Sequence, residues 1–132
     1  MEEEINMAHI VILGAGLGGM PMAYEMRESV RPGDKVTVIS NNPKFHFVPS
    51  NPWVAVNWRK RDAIELEIAP LLAKKKVDFI GVGAKRVHPE KNQIELDDGR
   101  TVDYDYLVIA TGAKLAFEEV EGLGPNGHTH SI

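Results

Sequence analysis

The sequence predicts an α/β fold in which a parallel sheet is joined to an antiparallel β-meander, and three observations carry that reading. First, the β-branched apolar run "HIVIL" leads directly into "GAGLGG", which reads Gly14-x-Gly16-x-x-Gly19. A continuous apolar run of this kind suits a strand buried on both faces, as at the centre of a parallel sheet. Second, apolar residues then recur at helical spacing, and another β-branched run, "KVTVIS", follows. Strand, glycine turn, helix and strand in that order make one βαβ unit. Third, the pattern changes after residue 83. Short strands are separated by the turn sequences "PEKN" and "DDGR" before an apolar strand, "YLVIA", returns.

Taken in order, the first strand lies within residues 8–14. Leu17, Met20, Ala23, Tyr24 and Met26 place a helix after it, with Pro21 in the first turn, where a missing N–H matters least. "RPGD" at residues 31–34 stops the helix, and residues 35–40 form the second strand, the unit being right-handed by the usual rule. Residues 41–60 hold three prolines and the large aromatics Phe45, Phe47, Trp53 and Trp58 without periodicity. They read as a long irregular functional loop. Residues 61–76 predict a short extended piece and then a helix opened by Pro70 at its first position. Lysines 74, 75 and 76 fall at the negative end of that helix. "VDFIGVG" is the third strand of the sheet. Asp98-Gly99 marks a hairpin turn within the meander. Residues 106–110 are expected to form a buried strand, and residues 113–132 are glycine-rich and loop-like.

Composition narrows the function classes. The chain has 132 residues, room for one compact domain. Its formal net charge is −4 with no basic stripe, which excludes nucleic acid as a principal partner. It contains no cysteine, so it can supply no disulfide, thiolate nucleophile or cysteine-ligated metal. "MEEEIN" is acidic and precedes no long apolar region, so it is no signal peptide. The apolar run at residues 10–13 is far too short to span a bilayer, and a cytoplasmic or membrane-peripheral location is expected. Residues 1–7 read as a solvated leader ahead of a nucleotide-binding domain portion at 8–132.

The glycines have distinct physical tasks. Gly14 permits the tight turn, Gly16 lets the backbone approach a pyrophosphate, and Gly19 lets helix and strand pack closely. The helix N-terminus adds free N–H donors and a partial positive charge. The usual fingerprint also has an Asp or Glu at the end of the second strand, accepting from ribose hydroxyls. Here that place holds Ser40, Asn41 and Asn42. Ser40 or Asn41 can still bond a ribose hydroxyl, as neutral and therefore weaker partners. The departure argues against plain NAD and leaves a 2′-phosphate, with Lys44 as its cation, as an open alternative.

"YDYLVIATGA", residues 104–113, ends in Ala110-Thr111-Gly112. A glycine-rich βαβ unit, a third strand, a meander and then "ATG" resemble the Rossmann-like FAD domain of the disulfide-reductase-like flavoproteins. Within that superfamily, "HIVILGAGLGGMPMAYEMR", "VTVISNNPKFHFVPSNPWVAVNWRKR", "APLLAKK" and "YDYLVIATGAKLAFEEVEGLGP" look like the N-terminal part of sulfide:quinone oxidoreductase. The resemblance runs from Ala8 to Ile132. "FVPSNPWVAVNWRKR" is its most telling piece, since the other motifs are shared with flavocytochrome c sulfide dehydrogenase and type II NADH dehydrogenases. Asn57 departs from the glycine expected in that loop.

The resemblance implies a flavoenzyme that oxidises sulfide and passes two electrons through FAD to a membrane quinone. By analogy Gly14, Gly16 and Gly19 sit on the pyrophosphate, and Ser40 with Asn41 faces the adenosine ribose. The backbone at Ala84 lies near the adenine, Thr111 and Gly112 flank the cofactor, and Pro49 and Ser50 approach the isoalloxazine. The family places a redox cysteine just after a stretch like "GHTHSI", residues 127–132. The chain is therefore expected to be a truncated N-terminal part that is inactive alone and holds FAD weakly. Membrane contact would come through a C-terminal part outside this chain. A type II NADH:quinone dehydrogenase-like flavoprotein and a stand-alone nucleotide-binding module are the rival readings.

Other features have plainer accounts. The four aromatics of residues 41–60 fit a flavin or quinone wall, but capping the sheet and filling an interface is the simpler role. Exposed apolar surface there would lead to self-association of the chain. His128-x-His130 has metal-ligand character without a third ligand and reads as a solvated loop. His9, His46 and His88 show no partner pattern. Glu118, Glu119 and Glu121 read as a surface cluster.

Overall fold

The structure is a computed structural model and describes residues 6–128; residues 1–5 of the expected leader at 1–7 and the "THSI" end lie outside the described residues. Four parallel strands form the central sheet: β1 (His9–Leu13), β2 (Lys35–Ile39), β5 (Asp78–Ile80) and β9 (Tyr106–Ile109), in the order β5-β2-β1-β9. Helix α1 (Gly19–Ser29) links β1 to β2. The crossover from β2 to β5 contains β3 (Lys44–His46), α2 (Asn51–Ala55), β4 (Glu65–Glu67) and α3 (Ile68–Lys74). Between β5 and β9 runs an antiparallel meander of β6 (Ala84–His88), β7 (Gln93–Leu96) and β8 (Thr101–Asp103).

Alternation along β1 divides the core into two layers. Ile10 and Ile12 point to the helical side, where they join Val36, Val38, Met20, Ala23, Ile68 and Leu72. Val11 and Leu13 point the other way and pack with Ile39, Ile94 and Leu96 under the meander. The period of two in a strand thus glues a helical layer and a meander layer to opposite faces of one sheet. The expected α/β class, with parallel sheet and meander, is the observed one.

Local structure departs from expectation at three places. Residues 41–60 are not irregular throughout: β3 pairs antiparallel with β4, and α2 follows a 3-10 turn at Val48–Ser50. Three-residue strands paired across an intervening helix leave no periodic trace. Helix α3 begins at Ile68, so Pro70 is its third residue. The first turn of a helix leaves its N–H groups unpaired, and proline is tolerated anywhere in it. Strand β9 was expected to be buried, but Tyr106 and Ile109 are each 66% exposed. It is an edge strand, and among the described residues nothing pairs with its outer side.

Asn57 occupies φ 60°, the left-handed region. Glycine is the usual residue there, and asparagine tolerates it better than most. The departure from glycine therefore leaves the left-handed turn in place.

Asp34 ties the end of α1 to the start of the sheet. It is 7% exposed and accepts from the N–H groups of Ala8 and Arg31, both at 3.0 Å, and from the Arg31 guanidinium at 3.1 and 3.2 Å. The Arg31 side chain first, then the Ala8 N–H, hold its carboxyl down to about 2. A depressed carboxyl stabilises the fold above its ordinary value of 3.8 and loses that contribution as pH falls through the folded value. The thermal midpoint of the wild type should therefore exceed that of Asp34→Asn at neutral pH, with the gap closing between pH 3.8 and about 2. A gap unchanged across that window would show that ionisation of Asp34 is not linked to folding.

Candidate functional site

At the carboxyl ends of β1, β2 and β9 lies an open cavity of about 800 Å³, within the size range of small-molecule sites. It sits where the strand order reverses, β2 and β5 lying on one side of β1 and β9 on the other. Open α/β sheets bind their ligands in that crevice.

The glycine loop forms one wall. Gly14 has φ +99° and donates its N–H to the Ile39 carbonyl at 2.9 Å. A Cβ on Gly14 would run into the Ala110 carbonyl, and one on Gly19 would run into the carbonyl of Gly14. These two glycines are demanded by the protein's own packing. Gly16 is different: no protein atom lies within 4 Å of the point its Cβ would occupy, and its φ is outside the left-handed range. Open space before Gly16, on the cavity wall, is a cradle that a side chain would fill. Helix α1 then starts without a side-chain cap and with no acidic residue in its first turn. Its free N–H groups and positive dipole end suit an anion. The backbone present therefore fits a pyrophosphate.

The expected site residues separate into two groups. Gly14, Gly16, Ser40, Asn41, Ala84, Thr111 and Gly112 all line the cavity. Gly19, Pro49 and Ser50 do not. Gly19 acts beneath the wall by its close approach to Gly14. Ser50 is buried, and its hydroxyl accepts from Arg59 at 2.9 Å. Instead His46 and Val48 reach the wall from that segment. The Arg59 guanidinium also stacks over Trp53 at 4.8 Å, and Trp58 is 75% exposed, so neither tryptophan lines the cavity.

His46 is held between Asn51 Oδ1 at 2.6 Å and Glu65 Oε1 at 3.3 Å. The Arg61 guanidinium, bonded to the same Glu65 oxygen at 2.9 Å, and then His46 hold that carboxyl below its ordinary range. Lys44 lines the cavity, but its Nζ lies 3.8 Å from Glu65 and 4.0 Å from Glu67. Asp97 and Gly83 also line it, and sequence reasoning missed both. Asp97 was hidden in "LDDGR", where the acids read only as turn formers. Half of the His128-x-His130 pair lies outside the described residues.

A glycine-rich turn and uncapped helix start at the switch point of a parallel sheet define an FAD- or NAD-binding α/β fold. Residues 8–132 match the pyridine nucleotide-disulphide oxidoreductase family, and the chain belongs to it. The chain is 43% identical to a sulfide-quinone reductase of Aquifex aeolicus over 83% of its length, which is 25% of that relative. The crystal structure of the sulfide:quinone oxidoreductase from Aquifex aeolicus superposes with a TM-score of 0.79, covering 83% of this chain and 25% of the other. An external alternative NAD(P)H-ubiquinone oxidoreductase of Arabidopsis thaliana is 29% identical over 97% of this chain and 24% of that protein. The chain thus spans about a quarter of the length of the relatives it matches.

Proposed function

We propose that this chain is the FAD-binding N-terminal part of a sulfide:quinone oxidoreductase, an enzyme that oxidises sulfide and reduces a membrane quinone. The observation that supports this most is the glycine-walled cavity at the switch point, in a chain 43% identical to a sulfide-quinone reductase. FAD, when bound, would carry the electron pair between sulfide and quinone. Gly14, Gly16 and the start of α1 hold the pyrophosphate, and Gly19 keeps the helix against the turn. Ser40 and Asn41 face the adenosine ribose, the Ala84 backbone stands beside the adenine, and Thr111 with Gly112 flanks the cofactor. Pro49 and Ser50 shape the isoalloxazine side only through Val48. In this reading the sulfur-accepting cysteines and the membrane contact come from outside these residues. The protein is cytoplasmic or peripheral; among the described residues no helix is long and apolar enough to cross a membrane. Tyr106, Ile109 and Leu115 are exposed, which supports self-association of the 132-residue chain.

Calorimetric titration of the chain with FAD and with FMN tests the cofactor. Weak but saturable binding of FAD, with none of FMN, is expected, because the adenosine diphosphate half meets this wall. Absence of FAD binding would overturn the cofactor reading, and a clean monomer by light scattering on the same samples would overturn self-association. The NAD(P)H-ubiquinone relative favours a second reading, a type II NADH:quinone dehydrogenase. Quinone reduction by a longer polypeptide containing this chain separates the two. Sulfide as reductant supports the first, and NADH in place of sulfide establishes the second.

A further inference from the structure

We propose that Asp97, on the β7–β8 hairpin, supplies the carboxylate that accepts from the ribose hydroxyls of the adenosine half of the bound dinucleotide. The proposal rests on the reading of the cavity as a dinucleotide site. It assigns to a different element the task that an acid at the end of the second strand ordinarily performs.

The end of β2 cannot perform it well. Ser40 and Asn42 are turned toward each other: the Asn42 N–H donates to Ser40 Oγ at 3.2 Å, and that hydroxyl donates to the Asn42 carbonyl at 3.3 Å. Asn42 Oδ1 in turn accepts from the Lys44 N–H at 3.0 Å. Two of the three neutral residues are thus committed to a local turn, and Asn41 carries no charge.

Asp97 reaches the same spot from the other layer. A Cβ on Gly83 would collide with Asp97 Oδ2, would stand 3.4 Å from its Cγ and would lie 3.3 Å from Asn41 Cβ. The carboxylate and Asn41 therefore flank one point on the cavity wall, and all three residues line it. Gly83 has no left-handed φ, so space for the Asp97 carboxylate is the reason on view for a glycine there. The hairpin holds the acid in place. The Asp97 N–H donates to the Gly83 carbonyl at 2.9 Å, and Leu96 before it is fully buried. Asp98, its neighbour, is consumed by the turn: its oxygens accept from the Arg100 N–H at 3.1 Å and Nε at 2.7 Å. Among the described residues no side-chain hydrogen bond engages the Asp97 carboxylate, which leaves both its oxygens to a ligand.

Charge makes the assignment selective. A carboxylate accepts from two ribose hydroxyls and repels a 2′-phosphate. Lys44, the cation on the same wall, already lies between Glu65 and Glu67 and offers little compensation. The wall therefore favours an unphosphorylated ribose, that of FAD, over that of NADP.

The test titrates the 132-residue chain and its Asp97→Asn variant with ADP, 2′-deoxy-ADP, adenosine 2′,5′-bisphosphate and inosine diphosphate. Asp97 is exposed, so circular dichroism should show an unchanged fold. Asp97→Asn should weaken ADP binding roughly tenfold, weaken 2′-deoxy-ADP, which keeps one of the two hydroxyls, by a smaller factor, and strengthen binding of the 2′,5′-bisphosphate. Adding Asn41→Asp should restore ADP binding in the Asp97→Asn background. Equal ADP affinity in both proteins would overturn the assignment, as would an equal loss for 2′-deoxy-ADP. A loss that vanishes with inosine diphosphate would place the carboxylate on the adenine amino group and also overturn it. Failure of the wild type to bind ADP at all would remove the dinucleotide reading itself, an outcome distinct from any of these.

Discussion

Gly19→Ala is expected to destabilise the fold by about 3 kcal/mol and to abolish ADP binding, although it adds a single methyl group. The added Cβ meets the backbone carbonyl of Gly14, and backbone cannot step aside as the tip of a flexible side chain can. Gly14 is itself pinned. Its N–H is bonded to Ile39, its φ is +99°, and the Ala110 backbone presses on its other side, with the Ala110 carbonyl carbon 2.7 Å from where a Cβ would stand. Relief would require α1 to retreat from β1, which opens the helical layer at Met20 and Ala23. Urea unfolding measures the loss. A variant with the wild-type midpoint would mean that the turn has slack the geometry does not show. Gly16→Ala is the informative contrast: its Cβ enters open space, so stability should hold while ligand binding suffers.

Leu72→Ala should cost about 2–5 kcal/mol, the range for emptying a fully buried leucine site. Leu72 and Ile68 are both completely buried and stand one turn apart on α3. A seven-residue helix has too few hydrogen bonds to persist by itself, so its apolar face is what holds it. With Leu72 truncated, α3 loses half of that anchor, and amide exchange should accelerate in α3 before it does in β1. Leu71→Ala, at a partly buried position on the same helix, should be milder. Comparable midpoints for the two variants would contradict the packing described.

The parts of the fold legible in the sequence are those set by short-range rules. "HIVIL" followed by glycines specifies a buried strand and a tight turn within ten residues, and Asp98-Gly99 specifies its hairpin locally. Pairing of Lys44 with Glu67 and of His46 with Glu65 was not legible, because each strand is too short to show a period. Strand β9 misled for a different reason. "YLVI" is continuously apolar, which normally means cover on both sides, yet Tyr106 and Ile109 face outward at the sheet's edge. Within the site, residues next to the glycine loop or at a strand end could be named in advance. Asp97 could not, since its place beside Asn41 arises only when the meander layer folds back over β2. Pro49 and Ser50 were drawn by motif to the cavity, whereas the 3-10 turn points Val48 at it and buries Ser50.

The wall of the cavity is also ordered in time. Strand β1 gains its second partner only when β9 arrives, and the bond from the His9 N–H to Asp105 Oδ2, 2.7 Å long, joins residues 96 positions apart. At ribosomal rates that separation takes on the order of 5–20 s to synthesise. Through that interval the glycine turn is already made but has no Ala110 beneath it, and its phosphate cradle is only half walled. Until then "HIVIL" is covered by α1, β2, α3 and the meander but lacks its β9 neighbour, and the cavity wall closes only once residues 106–110 have been made.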